Sequence, residues 1–160
     1  MKKVFILVGL GGIAYGVYSY YMQQLEILQN WDYRILGGKI KNINPLKVEF
    51  QVDIEVTNDS SISVILTDYY FDIFLNGVKV GVVKNASLNQ RIEANGGKSF
   101  LPMLIEVQTT QFLKGNVVLG LIESVKNSTL TQKGYFGIKK GLIKYRNIPF
   151  EYTYKLKDFM

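Results

Sequence analysis

The chain has 160 residues, a formal net charge of +6, and neither cysteine nor histidine. These absences exclude thiolate nucleophiles, imidazole bases and metal sites built from cysteine or histidine. The length is enough for one domain with a substantial hydrophobic core.

The first segment of the chain is a run of 19 residues without a charged side chain, from Val4 to Met22. A helix rises ~1.5 Å per residue, so this run reaches ~28 Å, close to the ~30 Å hydrocarbon core of a bilayer. The run predicts one transmembrane helix, whose anchor residues are Val4, Phe5, Leu7, Leu10, Gly12, Gly16, Tyr20 and Tyr21. We therefore divide the chain into an anchor helix with its extension, residues 1–30, and a domain, residues 31–160.

Two other interpretations of this segment stay open, a cleaved secretory signal and a glycine-rich helix of a soluble domain. Gly12 and Gly16 have the spacing of a helix-packing pair, although a glycine-rich anchor without a partner also explains them. Lys2 and Lys3 favour a cytoplasmic or interior amino end, with the domain on the other side of a cellular envelope or virion membrane.

After the anchor the periodicity changes to that of strands. From Leu46 to Thr57 apolar and polar residues alternate strictly, which predicts a strand with one buried face. The alternation resumes at Ile62 and shifts near Thr67–Tyr69, which indicates a bulge. Asn76-Gly77 then predicts a two-residue hairpin turn, because both residues tolerate positive φ.

The remainder of the chain predicts more strands and one helix. Asn95-Gly96-Gly97 indicates a turn, and Phe100–Val107 a strand that Pro102 places at a sheet edge or a bulge. Apolar residues at helical spacing predict a short amphipathic helix over 110–126. The last stretch predicts strands over 130–138, 142–145 and 148–156. So many short strands in one domain favour an antiparallel β-sandwich, making the fold class mainly β.

Three stretches resemble the group-2 late-embryogenesis-abundant family, which contains the water-stress and hypersensitive-response (WHy) domain. They are Val52-Asp-Ile-Glu-Val-Thr-Asn58, Tyr70-Phe-Asp-Ile-Phe-Leu-Asn-Gly-Val-Lys-Val-Gly81 and Ile148-Pro-Phe-Glu-Tyr152. The resemblance covers residues 36–156. It departs from the family pattern after Asn58, where Asp59 stands in place of the usual proline.

The resemblance implies an immunoglobulin- or fibronectin-III-like β-sandwich, often behind an amino-terminal membrane helix. It implies no enzyme activity and no cofactor. It associates plant members with protection during desiccation and other stress.

Two groups of charged residues are candidates for chemistry or contact. Glu49, Asp53, Glu55, Asp68 and Asp72 are acidic residues on two successive strands, which we interpret as solvated strand faces and not as a calcium site. Lys133, Lys139, Lys140, Lys144 and Arg146 form a candidate basic contact surface interleaved with Tyr135, Phe136 and Tyr145. The aromatic residues follow strand spacing, so we expect them in the core, and we do not expect nucleic acid to bind. The basic residues can also meet anionic lipid.

These observations favour a membrane-anchored, non-catalytic structural or interaction protein, for instance a membrane protein of a virion or envelope assembly. Its expected partners are the bilayer and other proteins or copies of itself. The alternative is a stress-protective or lipid-binding module that carries an apolar ligand between its sheets. A cavity lined by Phe50, Phe71, Phe74 and Phe150 would favour that alternative, and a closely packed core would oppose it. We predict no catalytic residue, no metal ligand and no small-molecule substrate.

Overall fold

A computed structural model describes residues 2–112 and 121–159, with side chains of the first helix described from Tyr15 onward and those of the second from Glu123. The helices are α1 (Lys2–Gln29) and α2 (Leu121–Lys126), and the strands are β1 (Trp31–Ile43), β2 (Lys47–Asn58), β3 (Val64–Leu75), β4 (Val78–Asn85), β5 (Gln90–Ile92), β6 (Gly97–Gln108), β7 (Thr129–Lys140), β8 (Ile143–Lys144) and β9 (Ile148–Lys155). Short 3-10 turns occupy Thr109–Gln111 and Leu156–Phe159.

All strand pairs are antiparallel and form two sheets, as the sequence predicted. The first sheet has the order β1-β2-β6. In the second, β3 and β7 are central; β4 and β5 pair with β3, and β8 and β9 pair with β7.

The two sheets pack face to face as a sandwich. The ring of Tyr33 in β1 lies 4.6 Å from that of Phe150 in β9, between centroids. Gln132 of β7 is completely buried, donates to the Met103 sulfur of β6 at 3.3 Å and accepts from the Tyr154 hydroxyl at 2.7 Å. The core therefore lies between the sheets, and Gln132 links them through a buried polar contact. Among the described residues, the buried indole N–H of Trp31 has no hydrogen-bond partner.

Several sequence predictions are confirmed in detail. The alternating strand is β2, and its apolar residues are buried along its whole length. The register of β3 against β7 shifts between Leu66 and Asp68, which is the predicted bulge. β6 is an edge strand of its sheet, as Pro102 indicated.

Strand β1 was not predicted. Gly37 and Gly38 interrupt its alternation, and its pairing with β2 shifts register twice, between Ile35 and Gly37 and between Ile40 and Asn42. Each shift exchanges the face of β1 on which the following side chains lie, so the buried residues do not follow one continuous alternation. The pattern therefore looks irregular when it is read from one strand alone.

The predicted helix over 110–126 is described only at its two ends. Thr109–Gln111 form a 3-10 turn instead of an α-helix, and Leu121–Lys126 are helical as α2. Residues 113–120 lie outside the described part of the chain. Val125 of α2 is completely buried, so this short helix covers one end of the core.

Candidate functional site

Helix α1 docks one end of the sandwich through its last turns. Ile27 is buried in the core, and Leu28 packs against it. The Glu26 carboxylate accepts a hydrogen bond from the Ser61 backbone N–H at 2.8 Å. The pKa of Glu26 is lowered mainly by its hydrogen bonds with Ser61, because these stabilise the charged form. The helix and the domain are thus joined by apolar packing and by a charge-assisted hydrogen bond.

The part of α1 that precedes this contact with the sandwich carries a cluster of exposed apolar side chains. We call it the exposed belt; its members are Tyr15, Val17, Tyr18, Tyr20, Tyr21 and Met22, with Tyr15 at 73% and Tyr20 at 37% exposure. No charged residue lies among them. A helix surface of this kind, uncharged and rich in tyrosine, is typical of the boundary between a bilayer and water.

Only some of the side chains of the predicted anchor residues are described by the structure. Those of Val4, Phe5, Leu7, Leu10 and Gly12 lie outside them. Gly16 has open space around it, and Tyr20 and Tyr21 belong to the exposed belt. Among the described residues, no helix combines the length and the apolar character that a bilayer crossing requires.

Tyr20 connects the exposed belt to the β7–β8 hairpin. Its hydroxyl donates to the Lys144 carbonyl at 3.1 Å, and its ring stacks on Tyr145 with centroids 5.6 Å apart. The Tyr145 hydroxyl in turn donates to the Gln23 side-chain oxygen at 2.7 Å. These contacts hold the hairpin beside the helix at the point where the helix leaves the domain.

The five predicted basic residues do not form one surface. Lys139, Lys140, Lys144 and Arg146 gather around the β7–β8 hairpin. Lys133 lies six residues earlier on β7, about 20 Å away at the rise of a strand, and pairs there with Glu151 at 2.9 Å.

The aromatic residues among these bases pack against other parts of the domain. Phe136 and Tyr145 are buried, and the Tyr135 ring stacks on Tyr70 with centroids 6.0 Å apart. The expectation that these rings lie in the core is confirmed for Phe136 and Tyr145. It is wrong for Tyr135, which is only partly buried and covers the outer face of the second sheet.

The acidic residues are divided between the two sheets, because β2 and β3 belong to different sheets. On β2, Glu49 pairs with Lys47 at 2.6 Å, and Glu55 pairs with Arg34 at 2.9 Å. On β3, Asp72 pairs with Lys79 at 2.6 Å. Lys98, Arg34 and the nearby hydrogen bonds lower the pKa of Glu55 despite its desolvation.

Most of these carboxylates are therefore neutralised by neighbouring cations. Within the described residues, no group of three or more acidic side chains is arranged to hold a metal ion.

Asn76 and Gly77 form the turn between β3 and β4, with φ of 49° and 82°. The Asn76 side chain accepts from the Thr129 backbone N–H at 2.9 Å and donates to the Ser128 hydroxyl at 3.1 Å. The polar groups of this turn thus bind the start of β7. The turn lies at the end of the sandwich opposite the dock of α1.

Sequence reasoning missed the exposed apolar pair Leu142 and Ile143. The stretch 142–145 was predicted as a strand, but Gly141 and Leu142 make the hairpin connection, with φ of 58° at Gly141. Leu142 is completely exposed, and Ile143 is 52% exposed. The sequence signal for this turn is the Gly-Leu-Ile run between two lysines, because a glycine favours a turn and the residues next to a turn lie at the exposed tip of a hairpin.

Comparison with known proteins supports the fold alone. The chain matches no protein-family model and no curated protein. Among solved structures, it is similar to the solution structure of a protein from Arabidopsis thaliana, with a TM-score of 0.54 and 19% identity, over 80% of this chain and 85% of that one. It is also similar to a structural-genomics target solved by X-ray methods, with a TM-score of 0.53 and 10% identity, over 79% and 87% of the two chains.

A third similar structure is a solution structure of a candidate late-embryogenesis-abundant protein. Its TM-score is 0.45 and its identity 11%, over 99% of this chain and 90% of that one. At that score we base no argument on it.

Proposed function

We propose that this protein is a membrane-anchored, non-catalytic interaction module. Its sandwich is of the immunoglobulin or fibronectin-III type found in the group-2 late-embryogenesis-abundant family, and α1 tethers it to a cellular envelope or a virion membrane. The exposed belt carries the proposal. Six large apolar side chains without a charge among them are costly to leave in water, and they continue the uncharged run that begins at Val4.

The state of the charged side chains supports the non-catalytic part of the proposal. The carboxylates that the sequence singled out on β2 and β3 are largely bound to lysine or arginine on the outer faces of the sheets. Such exposed pairs contribute little to stability, but they leave those carboxylates engaged. We therefore propose that the sandwich acts by presenting its surfaces to partner proteins or to further copies of itself.

The apolar-ligand alternative has less support. Phe71 and Phe150 are buried with their ring centroids 5.1 Å apart, and Phe136 lies 5.2 Å from Phe71. The alternative requires Phe74 to line a cavity with them, but Phe74 alternates with the buried residues of β3 and lies on the other face. The stress-protective alternative rests on the sequence resemblance.

Carbonate extraction of membranes tests the anchor. The full-length chain is expected to stay in the membrane pellet, whereas Leu7→Arg with Leu10→Arg is expected to enter the supernatant, because arginine within a membrane helix costs about 2.5–3.5 kcal/mol per residue. The matched control is Val78→Arg with Val82→Arg on exposed positions of β4, which should remain in the pellet. Release of the unmodified chain by carbonate would contradict the proposal.

A further inference from the structure

The tip of the β7–β8 hairpin exposes aliphatic side chains that have no role in the core. Leu142 is completely exposed and Ile143 half exposed, on either side of the start of β8. The pair stands out from the domain at a two-residue turn, so it can enter an apolar environment without any change in the sandwich.

Cations surround this aliphatic pair. Lys139 and Lys140 precede it, and Lys144 and Arg146 follow it. Lys139 is directly opposite Lys144 in the ladder between β7 and β8, an arrangement in which like charges repel. An anionic partner would relieve that repulsion.

Two carboxylates lie near these cations. The Asp68 carboxylate is 3.7 Å from the Lys144 ammonium group. The Glu26 carboxylate accepts a hydrogen bond from Ser61, and the positive charge of Lys140 contributes to lowering the pKa of Glu26. Within the described part of the chain, no carboxylate lies within ion-pair distance of Lys139, Lys140 or Arg146. The tip therefore keeps an excess of positive charge.

The tip of the hairpin lies beside the exposed belt of α1, and this position indicates which kind of partner it contacts. The Tyr20 hydroxyl bonds the Lys144 carbonyl, so the tip is fixed beside the exposed belt of α1. A helix that crosses a bilayer over residues 4–22 places its boundary with water close to Tyr20. If α1 spans the bilayer as proposed above, the tip lies at the depth of the lipid headgroups.

We propose that residues 139–146 form a second membrane contact, in which Leu142 and Ile143 enter the bilayer interface and the surrounding lysines and Arg146 bind the headgroups of anionic phospholipids. The contact combines apolar insertion with charge attraction, the two terms that govern binding to a membrane surface. This inference rests on the proposed anchoring by α1. Its function would be to fix the orientation of the sandwich on the membrane.

A depth measurement on the full-length chain in lipid nanodiscs tests the contact. The chain has no cysteine, so Leu142→Cys carries a single fluorophore, and Val78→Cys carries the same fluorophore at the opposite end of the sandwich, roughly 35 Å away at the strand rise. A nitroxide lipid labelled near its headgroup is expected to quench the fluorophore at position 142 and not at position 78. Equal quenching at the two positions would overturn the inference.

Charge variants test the recognition of anionic lipid. Adding phosphatidylserine to phosphatidylcholine discs is expected to increase the quenching at position 142. Replacing Lys139, Lys140 and Lys144 by glutamine should lower the contact equilibrium about five-fold per lysine. The matched control replaces three exposed lysines at the other end, Lys126, Lys155 and Lys157, by glutamine and should leave the quenching unchanged.

The two proposals fail in different ways. A chain that does not enter nanodiscs refutes the anchor. A chain that enters them, but whose quenching at position 142 does not respond to phosphatidylserine or to the tip lysines, refutes the lipid contact alone. Because every substituted tip residue lies at the surface, equal thermal melting of the tip and control variants will show that neither has lost its fold.

Discussion

At the scale of single residues, Asn58 organises the end of the sandwich on which α1 docks. Its side chain is completely buried, donates to the carbonyls of Ile62 at 2.8 Å and Glu93 at 3.2 Å, and accepts from the Ser60 hydroxyl at 2.6 Å. One amide thus closes the loop after β2 and ties it to the residue that follows β5.

We expect Asn58→Ala to lower the free energy of unfolding by about 2–4 kcal/mol, because the Ser60 N–H and the Glu93 carbonyl lose the partner that Asn58 supplies, and the buried Ile62 carbonyl keeps only the Ser60 hydroxyl. Urea unfolding followed by the fluorescence of Trp31, the single tryptophan, measures this. Asn85→Ala is the control: its side chain accepts one exposed hydrogen bond, from the Ser87 N–H, so a change below about 1 kcal/mol is expected. Equal losses in the two variants would contradict the role given to Asn58.

Glu26 makes the attachment of α1 sensitive to acid. Its pKa is lowered in the folded protein, so the contribution of this carboxylate is complete above its ordinary value of 4.5 and is lost as the pH falls through the folded value. NMR titration of the carboxyl group should give a midpoint below 4.5, and Ser61→Ala should raise that midpoint. A midpoint at or above 4.5 in the unmodified chain would show that the bond with Ser61 does not form.

At the scale of elements, the junction between α1 and β1 uses a backbone N–H at position 59, where the pattern that the sequence resembles has proline. The backbone N–H of Asp59 donates to the Asn30 carbonyl at 2.8 Å and extends the β1–β2 ladder to the end of the helix. Proline has no N–H and cannot make this bond. A residue other than proline at position 59 therefore lets the helix end join the sheet.

Asp59→Pro is accordingly expected to lower the free energy of unfolding by about 1–2 kcal/mol and to speed hydrogen exchange at the end of α1. Asp59→Ala keeps the N–H and should leave both quantities nearly unchanged. If the proline variant were as stable as the alanine variant, the bond to Asn30 would have no energetic importance.

The close approach of β7 to β3 depends on Gly134. A Cβ at this position would overlap the Tyr70 carbonyl oxygen, a backbone atom that cannot move without breaking the β3–β7 ladder. We expect Gly134→Ala to cost about 3 kcal/mol or more in thermal or urea unfolding, as severe steric conflicts do. Gly81→Ala on β4 is the control, since open space surrounds that glycine, and it should be neutral or slightly stabilising.

The elements differ in how far sequence could predict them. β2 was predictable because both its periodicity and its pairing are regular, and the Asn76-Gly77 turn because few residues adopt positive φ. β1 was not, because its two register shifts depend on its partner. The separation of Lys133 from the β7–β8 tip, and the exposure of Leu142, depend on which strands are neighbours and where a turn falls. A single sequence does not contain those pairings.

At the scale of the whole molecule, the proposed anchor and the two leading lysines predict on which side of a membrane the sandwich would lie. Lys2 and Lys3 favour an interior amino end, with the domain outside. Single cysteines at Lys3→Cys and Val78→Cys can be labelled with a maleimide that does not cross membranes, in intact cells or particles. We expect labelling at position 78 before permeabilisation and at position 3 only afterwards; labelling of both on the same side would refute a single crossing.

Only Asn30 lies between the end of α1 and the start of β1, and its backbone is bonded to both Glu26 and Asp59. The sandwich is therefore connected rigidly to the helix, because the single residue between them is hydrogen-bonded to both. Helix tilt changes with bilayer thickness. In the proposed arrangement, a tilt of about 10° would swing the Asn76-Gly77 end through about 6 Å, given a strand length of roughly 36 Å. A thinner or thicker membrane would thereby change the height and the angle at which the far end of the sandwich is presented to a partner.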